Sequence, residues 1–265
     1  MKTFCVFSIH RTGTNYLGSV LKQWPSLSAF DELFHASQAY GVKPAQVRAI
    51  ANAAGQEFAD AADPALVAWV RANPVATVDA LRRVAKRKDK QGLYFKVFLG
   101  HWTKPVDEVV AGLARDPGFT PVVLQRRCID VYVSYRKAEA AGQYKHVDTT
   151  DAPVRLDAAH YAHWASQARA WYTGVTQALA HAGLEPRMPT YERDVDMPPA
   201  ALAAHWATLL GVDAPAALDA SLALPRQDRS ERIEDKIANA DEFFAGLKAR
   251  GLWEESRRGF LDIPR

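Results

Sequence analysis

The chain has 265 residues, 48% of them hydrophobic and 24% charged, which suffices for one large α/β domain with a substantial core. Its 33 basic and 30 acidic residues leave a formal charge of +3, too balanced to argue for a nucleic-acid partner, and no apolar run reaches membrane-spanning length. Cys5 and Cys128 form no CxxC pair, so neither a disulfide framework nor a zinc site is indicated. Reduced thiols and the lack of a signal-peptide pattern predict a cytoplasmic protein.

The first predicted element is Thr3–Ile9, "TFCVFSI", a β-branched and aromatic run of the kind that forms a buried parallel strand. A glycine turn follows, and then Leu17, Val20, Leu21 and Trp24 recur at helical spacing until Pro25 stops them. Within "FDELFH", Glu32 and His35 lie three apart, so a helical turn there would put both on one face. Residues 36–90 read as a mostly helical insertion. It ends in "RRVAKRKDK" (Arg82 to Lys90), with six basic residues against one acid. A solvated helix end is the simple explanation; the functional alternative is an electropositive rim attracting an anionic acceptor or anionic lipid.

Two further strands are predicted over Gly92–Gly100 and Phe119–Gln125, the second leading into the helical stretch "IDVYVSYRKAEAAG". Residues 140–182 form a second helical insertion. Its "HYAHW" places His160 and His163 three apart, but without a third ligand nearby they make no metal motif. A weaker strand, "RMPTYE", precedes the alanine-rich helix "PPAALAAHWATLLG", which ends at Gly211. Strands alternating with helices predict a single α/β domain over 1–265, with a central parallel sheet and right-handed crossovers. Most of the seven Trp and nine Tyr are expected in its core.

The junction "HRTGTNYL" carries the first chemical signal. A strand, a tight glycine turn and a helix start bring free backbone N–H groups together at the positive end of a helix dipole, where a phosphate fits. Gly13 permits close backbone approach, Thr12 and Thr14 add hydroxyls, and Arg11 adds a fixed charge. The Walker pattern GxxxxGK[ST] is absent, so an ordinary ATPase or GTPase is disfavoured.

Read further, "RTGTNYL" resembles the 5′-phosphosulfate loop of sulfotransferases that use 3′-phosphoadenosine 5′-phosphosulfate (PAPS). The likeness is to bacterial carbohydrate sulfotransferases of the nodulation-factor and trehalose type, with Arg11 where many relatives carry lysine. The resemblance implies a P-loop-type three-layer fold, and it assigns Arg11, Thr12, Gly13, Thr14, Asn15 and Tyr16 to the donor. "LQRRCIDVYVSYRKA" resembles the family's 3′-phosphate motif, an arginine followed eight residues later by a serine, here Arg126 and Ser134. Charge-assisted bonds to that phosphate would distinguish PAPS from most adenine nucleotides. Arg127, adjacent, should point elsewhere. "TYERDV" is similar to the element whose tyrosine approaches the adenine, here Tyr191, with Arg193 where the family has an aspartate. "PRQDRSERIEDKIANADEF" resembles the tail that closes over the nucleotide, with Arg226, Gln227 and Arg229 as candidate contacts.

The resemblance also assigns the chemistry. "ELF" marks Glu32 as the general base, with His35 its rival and Asp31 third; Lys96 and His101 of "YFKVFLGH" would line the acceptor side. Arg11 would offset charge developing on the departing phosphate, which needs no proton. His10 is expected to support the loop. The acceptor implied is a hydroxyl of a carbohydrate or glycolipid, without a metal, and peripheral contact with the inner membrane surface is compatible with it. A P-loop phosphotransferase and a non-catalytic phosphoadenosine-nucleotide-binding protein are the alternatives. The acceptor's identity and the oligomeric state are left open.

Overall fold

A computed structural model describes residues 1–143, 148–225, 228, 230 and 232–262. Strand β1 (Lys2–Phe7) enters helix α1 (Thr14–Leu21) through the glycine turn, and a short strand β2 (Leu27–Ala29) follows. Three helices come next: α2 (Pro44–Ala54), α3 (Pro64–Ala72) and α4 (Pro74–Lys86). Proline at the first helical position begins each of them, and Asp63 caps α3 by accepting the Ala65 N–H at 2.8 Å. The chain then runs through β3 (Gly92–Val97), α5 (Val106–Leu113), β4 (Phe119–Val123), α6 (Cys128–Ala140) and the long α7 (Ala158–His181). It closes with α8 (Tyr191–Asp194), α9 (Pro199–Leu210), α10 (Ala240–Ala249) and α11 (Trp253–Ser256).

The sheet is fully parallel, in the order β2-β3-β1-β4, with Thr3 opposite Leu93 on one side and Phe119 on the other. Alternation along β1 sends Phe4 and Val6 to one face, among Leu17 and Val20 of α1, Trp24 just beyond it, and Trp206 of α9. Cys5 and Phe7 go to the other, among Ile50, Leu66, Leu81, Tyr172 and Val175 from the remaining helices. Covered on both faces, β1 and β3 are apolar almost throughout, which is why they read as continuous runs. The result is the α/β architecture expected, a central parallel sheet flanked by helices.

Three sequence expectations change. Residues 36–90 are the crossover from β2 to β3, and their apolar stripe forms much of one face of the core. "RMPTYE" does not form a strand: Arg187 and Thr190 make isolated parallel bridges to Val122 and Gln125, and Tyr191 already begins a helical turn. Pro189 interrupts that edge, since it has no N–H to donate to a ladder. "FDELFH" is not helical either; Phe30 still extends the sheet by donating to the Tyr94 carbonyl, and only single turns follow. The strand β2 went unseen because three residues carry no period.

Topology fixes where a ligand belongs. From β1 the chain crosses to the far edge of the sheet through α1, whereas from β4 it departs on the other side. The carboxyl ends of β1 and β4 therefore flank a switch point, the usual crevice for ligands in open parallel sheets. The basic stretch Arg82 to Lys90 lies at the start of β3, the opposite end of the sheet, so it cannot form a rim to that crevice. Part of its charge is also engaged: Arg82 pairs with Asp79 and Asp116, and Lys90 donates to the Pro25 carbonyl.

Candidate active site

The turn after β1 carries unusual backbone geometry. Arg11 adopts φ +73, a left-handed conformation that costs a non-glycine residue free energy and is concentrated at functional sites. Gly13 follows at φ +83 as the N-cap of α1, and a Cβ there would lie 2.4 Å from the Tyr191 ring. Among the described residues no side chain caps this helix end. The N–H groups of its first turn, from Thr14 to Tyr16, have no helical acceptor and are presented to whatever sits before them.

Support comes from beneath. Ser8 donates to the Leu124 carbonyl at 2.7 Å, and the Thr12 hydroxyl, 2.6 Å from that of Ser8, lies 2.9 Å from the Ile9 carbonyl. Thr12 is fully buried, so its hydroxyl braces the loop from inside instead of facing a ligand. From α7, Tyr172 donates to the Leu124 carbonyl at 2.8 Å and the Trp171 indole to the Ser8 carbonyl at 3.1 Å. Helix α7 thus buttresses the ends of both β1 and β4, a role with no motif in the sequence.

In front of the turn lies a cavity of about 1080 Å³. Of the residues assigned to the donor, Arg11, Gly13, Thr14, Asn15, Tyr16, Arg126, Ser134 and Tyr191 all line it. Its size is just above the roughly 300–1,000 Å³ usual for ligand sites. The Arg11 Nε donates to the Ser134 hydroxyl at 3.0 Å, and the Arg126 Nη1 donates to the Arg11 carbonyl at 3.0 Å. Arg126 also lies over the Tyr191 ring, 4.1 Å from its centroid, and its buried Nε–H has no hydrogen-bond partner among the described residues. An unsatisfied guanidinium donor beside an uncapped helix start suits an anionic ligand. Arg127, expected to point elsewhere, also lines the cavity, where it pairs with Asp130 at 2.7 Å and Glu192 at 3.5 Å.

One cavity cation escaped the sequence reading. Lys236 lines the wall 4.0 Å from Asp228, whose carboxylate accepts from the buried Lys137 at 2.8 Å. Burial lowers the Lys236 pKa, opposed by Asp228 and Asp130 and reinforced by Arg126 and Lys137. A lone lysine in an alternating charged tail carries no signal of its own. The three other tail candidates, Arg226, Gln227 and Arg229, lie outside the described residues.

Behind the turn is a second polar cluster. Lys96 is fully buried on β3; it donates to the Asn15 amide oxygen and sits 3.8 Å from both the Asp31 and Glu32 carboxylates. Such a charge is tolerable inside a protein only when paired in this way. Glu32, itself buried, also faces the His101 Nε2 at 3.7 Å. His101 accepts the Phe98 N–H on Nδ1 at 3.2 Å, which assigns its proton to Nε2. Burial, and then the neighbouring His10, His35, Lys96 and Arg71, push its pKa down to about 3, so it faces Glu32 as a neutral donor.

His35 remains near this cluster, its ring centroid 5.9 Å from that of His101, but its Nδ1 is engaged by the Ser37 N–H at 3.1 Å and hydroxyl at 2.9 Å. The shared helical face expected for Glu32 and His35 is absent. Asp31 is spent on Lys22 and Lys96. His10 lies at the surface with its ring edge-on to Phe98, 4.5 Å between centroids; partial burial lowers its pKa, opposed by Glu32. Among the described residues no group of His, Cys, Asp or Glu is arranged to hold a metal ion, and no helix is long and apolar enough to cross a membrane.

Comparison with solved structures finds a likeness to a sulfotransferase from Alicyclobacillus acidocaldarius, covering 97% of this chain and 99% of that one at 14% identity and a TM-score of 0.43. No family model matches the sequence, and no curated protein matches it. The functional reading accordingly rests on the site's own residues.

Proposed function

We propose that the protein is a PAPS-dependent sulfotransferase, moving a sulfuryl group to a hydroxyl of a carbohydrate or glycolipid in the cytoplasm. One observation carries this reading: two motifs separated by 115 residues, each read as a phosphate-binding element, meet in one cavity through the Arg11–Ser134 and Arg126–Arg11 bonds. A donor anionic at both ends suits that arrangement better than a nucleotide with a single phosphate cluster.

In this reading, the α1 N-terminus and Arg11 hold the 5′-phosphosulfate and offset charge on the departing phosphate, while Arg126, Ser134 and Lys236 hold the 3′-phosphate. The Arg11 side chain already donates to Ser134, so it spans the two ends. Tyr191 packs against Gly13 with Arg126 over its ring and lines the same cavity, where it approaches the nucleoside by its remaining ring edge. Glu32, beside the Lys96 that touches Asn15, takes the proton of the attacking hydroxyl.

Calorimetric binding of 3′-phosphoadenosine 5′-phosphate, run beside ADP and AMP, tests the donor. Preference for the 3′-phosphate, lost by a factor on the order of 10–100 in Arg126→Ala, supports the proposal. Equal or absent binding of the three nucleotides would overturn it and favour the phosphotransferase alternative.

A further inference from the structure

Arg71 lies on α3, a helix for which the sequence suggested no site role. Its Nε donates to the His101 carbonyl at 2.9 Å, and its Nη2 donates to the Gly100 carbonyl at 2.7 Å. In return the Arg71 carbonyl accepts the Thr103 N–H at 3.3 Å and the Thr103 hydroxyl at 3.2 Å. The loop held in this way belongs to no helix or strand. It turns at Gly100 with φ +80 and leaves Leu99 58% exposed. Phe98 and Trp102 pack the two sides of this loop into the core, and Arg71 tethers the exposed turn between them.

That loop also delivers His101 to Glu32. The imidazole is 5% exposed, anchored on one side by the Phe98 N–H and turned on the other toward the carboxylate. We propose that Arg71 is a positioning residue, whose guanidinium fork clamps the 98–103 loop so that the His101 Nε2–H faces Glu32. Two adjacent carbonyls are a target that a planar fork meets at once and a single ammonium does not. The clamp's effect on catalysis rests on the sulfuryl-transfer reading; the placement of His101 does not.

The test compares Arg71→Lys, which keeps the charge and loses the fork, with Arg71→Gln in the full chain. The His101 ring is followed by nitrogen-15 NMR, alongside thermal melting, 3′-phosphoadenosine 5′-phosphate calorimetry and turnover. The groups facing the ring are His10, His35, Lys96, Arg71 and Glu32, and of these only Arg71 is altered. In Arg71→Lys, loosening of the loop should raise the His101 titration midpoint by about one pH unit or more and mix its tautomers. Nucleotide affinity should stay within about twofold while kcat falls on the order of tenfold, as a misplaced group predicts.

An unchanged His101 tautomer and titration in Arg71→Lys would overturn the inference, as would a change confined to Arg71→Gln, which would mean that charge alone matters. Should both variants unfold, Thr103→Val removes one return bond and must shift His101 in the same direction; no shift again overturns it. If the wild type fails to bind the nucleotide, the functional reading falls while the NMR result still decides the role of Arg71.

Discussion

Glu32 shows how much a single side chain's surroundings determine. Its carboxylate is buried but has Lys96 at 3.8 Å and the His101 Nε2 at 3.7 Å, both just beyond hydrogen-bond distance, so neither neutralises it through a short direct bond. Glu32→Gln keeps the shape and removes the base. Turnover should fall by about 10²–10⁴-fold, with 3′-phosphoadenosine 5′-phosphate binding by calorimetry unchanged. Survival of turnover would move the base elsewhere, and His10, at the surface beside Phe98, would then be the residue to substitute. At this scale Gly13 and Arg11 were legible from turn chemistry and fixed charge, and Arg126 only through the resemblance of its motif. Lys236 was not, because nothing local distinguishes it from other surface lysines.

Among the elements, α7 holds the ends of two strands that the sequence shows only as separate runs. Tyr172 reaches the Leu124 carbonyl from this helix, and Trp171 reaches the Ser8 carbonyl. Removing the phenol hydroxyl in Tyr172→Phe should cost about 1 kcal/mol of stability, read from chemical denaturation, with Ser8 retaining its own bond to Leu124. Nucleotide affinity should weaken in parallel, since the turn carrying Arg11 is braced through Ser8 and Thr12. Loss of stability with full affinity would make Tyr172 a core residue only. The helix pattern of this stretch was readable from its periodicity, whereas its task was not: hydrogen bonds between a helix and two strand ends leave no trace in spacing.

For the molecule as a whole, burial of His101 links folding to acid. Its folded pKa, pushed by burial to about 3, lies below the ordinary 6.5 it regains on unfolding. Between those values the unfolded chain binds a proton that the folded one refuses, so stability falls as the pH drops through that window. Asp194 acts in the same direction at lower pH. Burial opposes its ionisation, but bonds from Arg193, the Thr190 N–H and His205 outweigh burial and leave the pKa lowered. Stability measured by denaturant from about pH 7 to about pH 4 should therefore decline, and more steeply in the wild type than in His101→Asn. Equal slopes would mean that His101 is protonated, and so not neutral, in the folded protein.

The sequence alone determined the alternation of strands and helices and the tight glycine turn at Gly13, because periodicity and turn chemistry act over a few residues; Arg126 and Ser134 were linked only by the resemblance of their motif. Only the tertiary structure decided that β3 would lie between β2 and β1, that Arg11 would reach Ser134, and that Arg71 would hold the loop of His101. These contacts join residues far apart in the chain, and what brings them together is the order of strands in a sheet whose two apolar faces must both be covered.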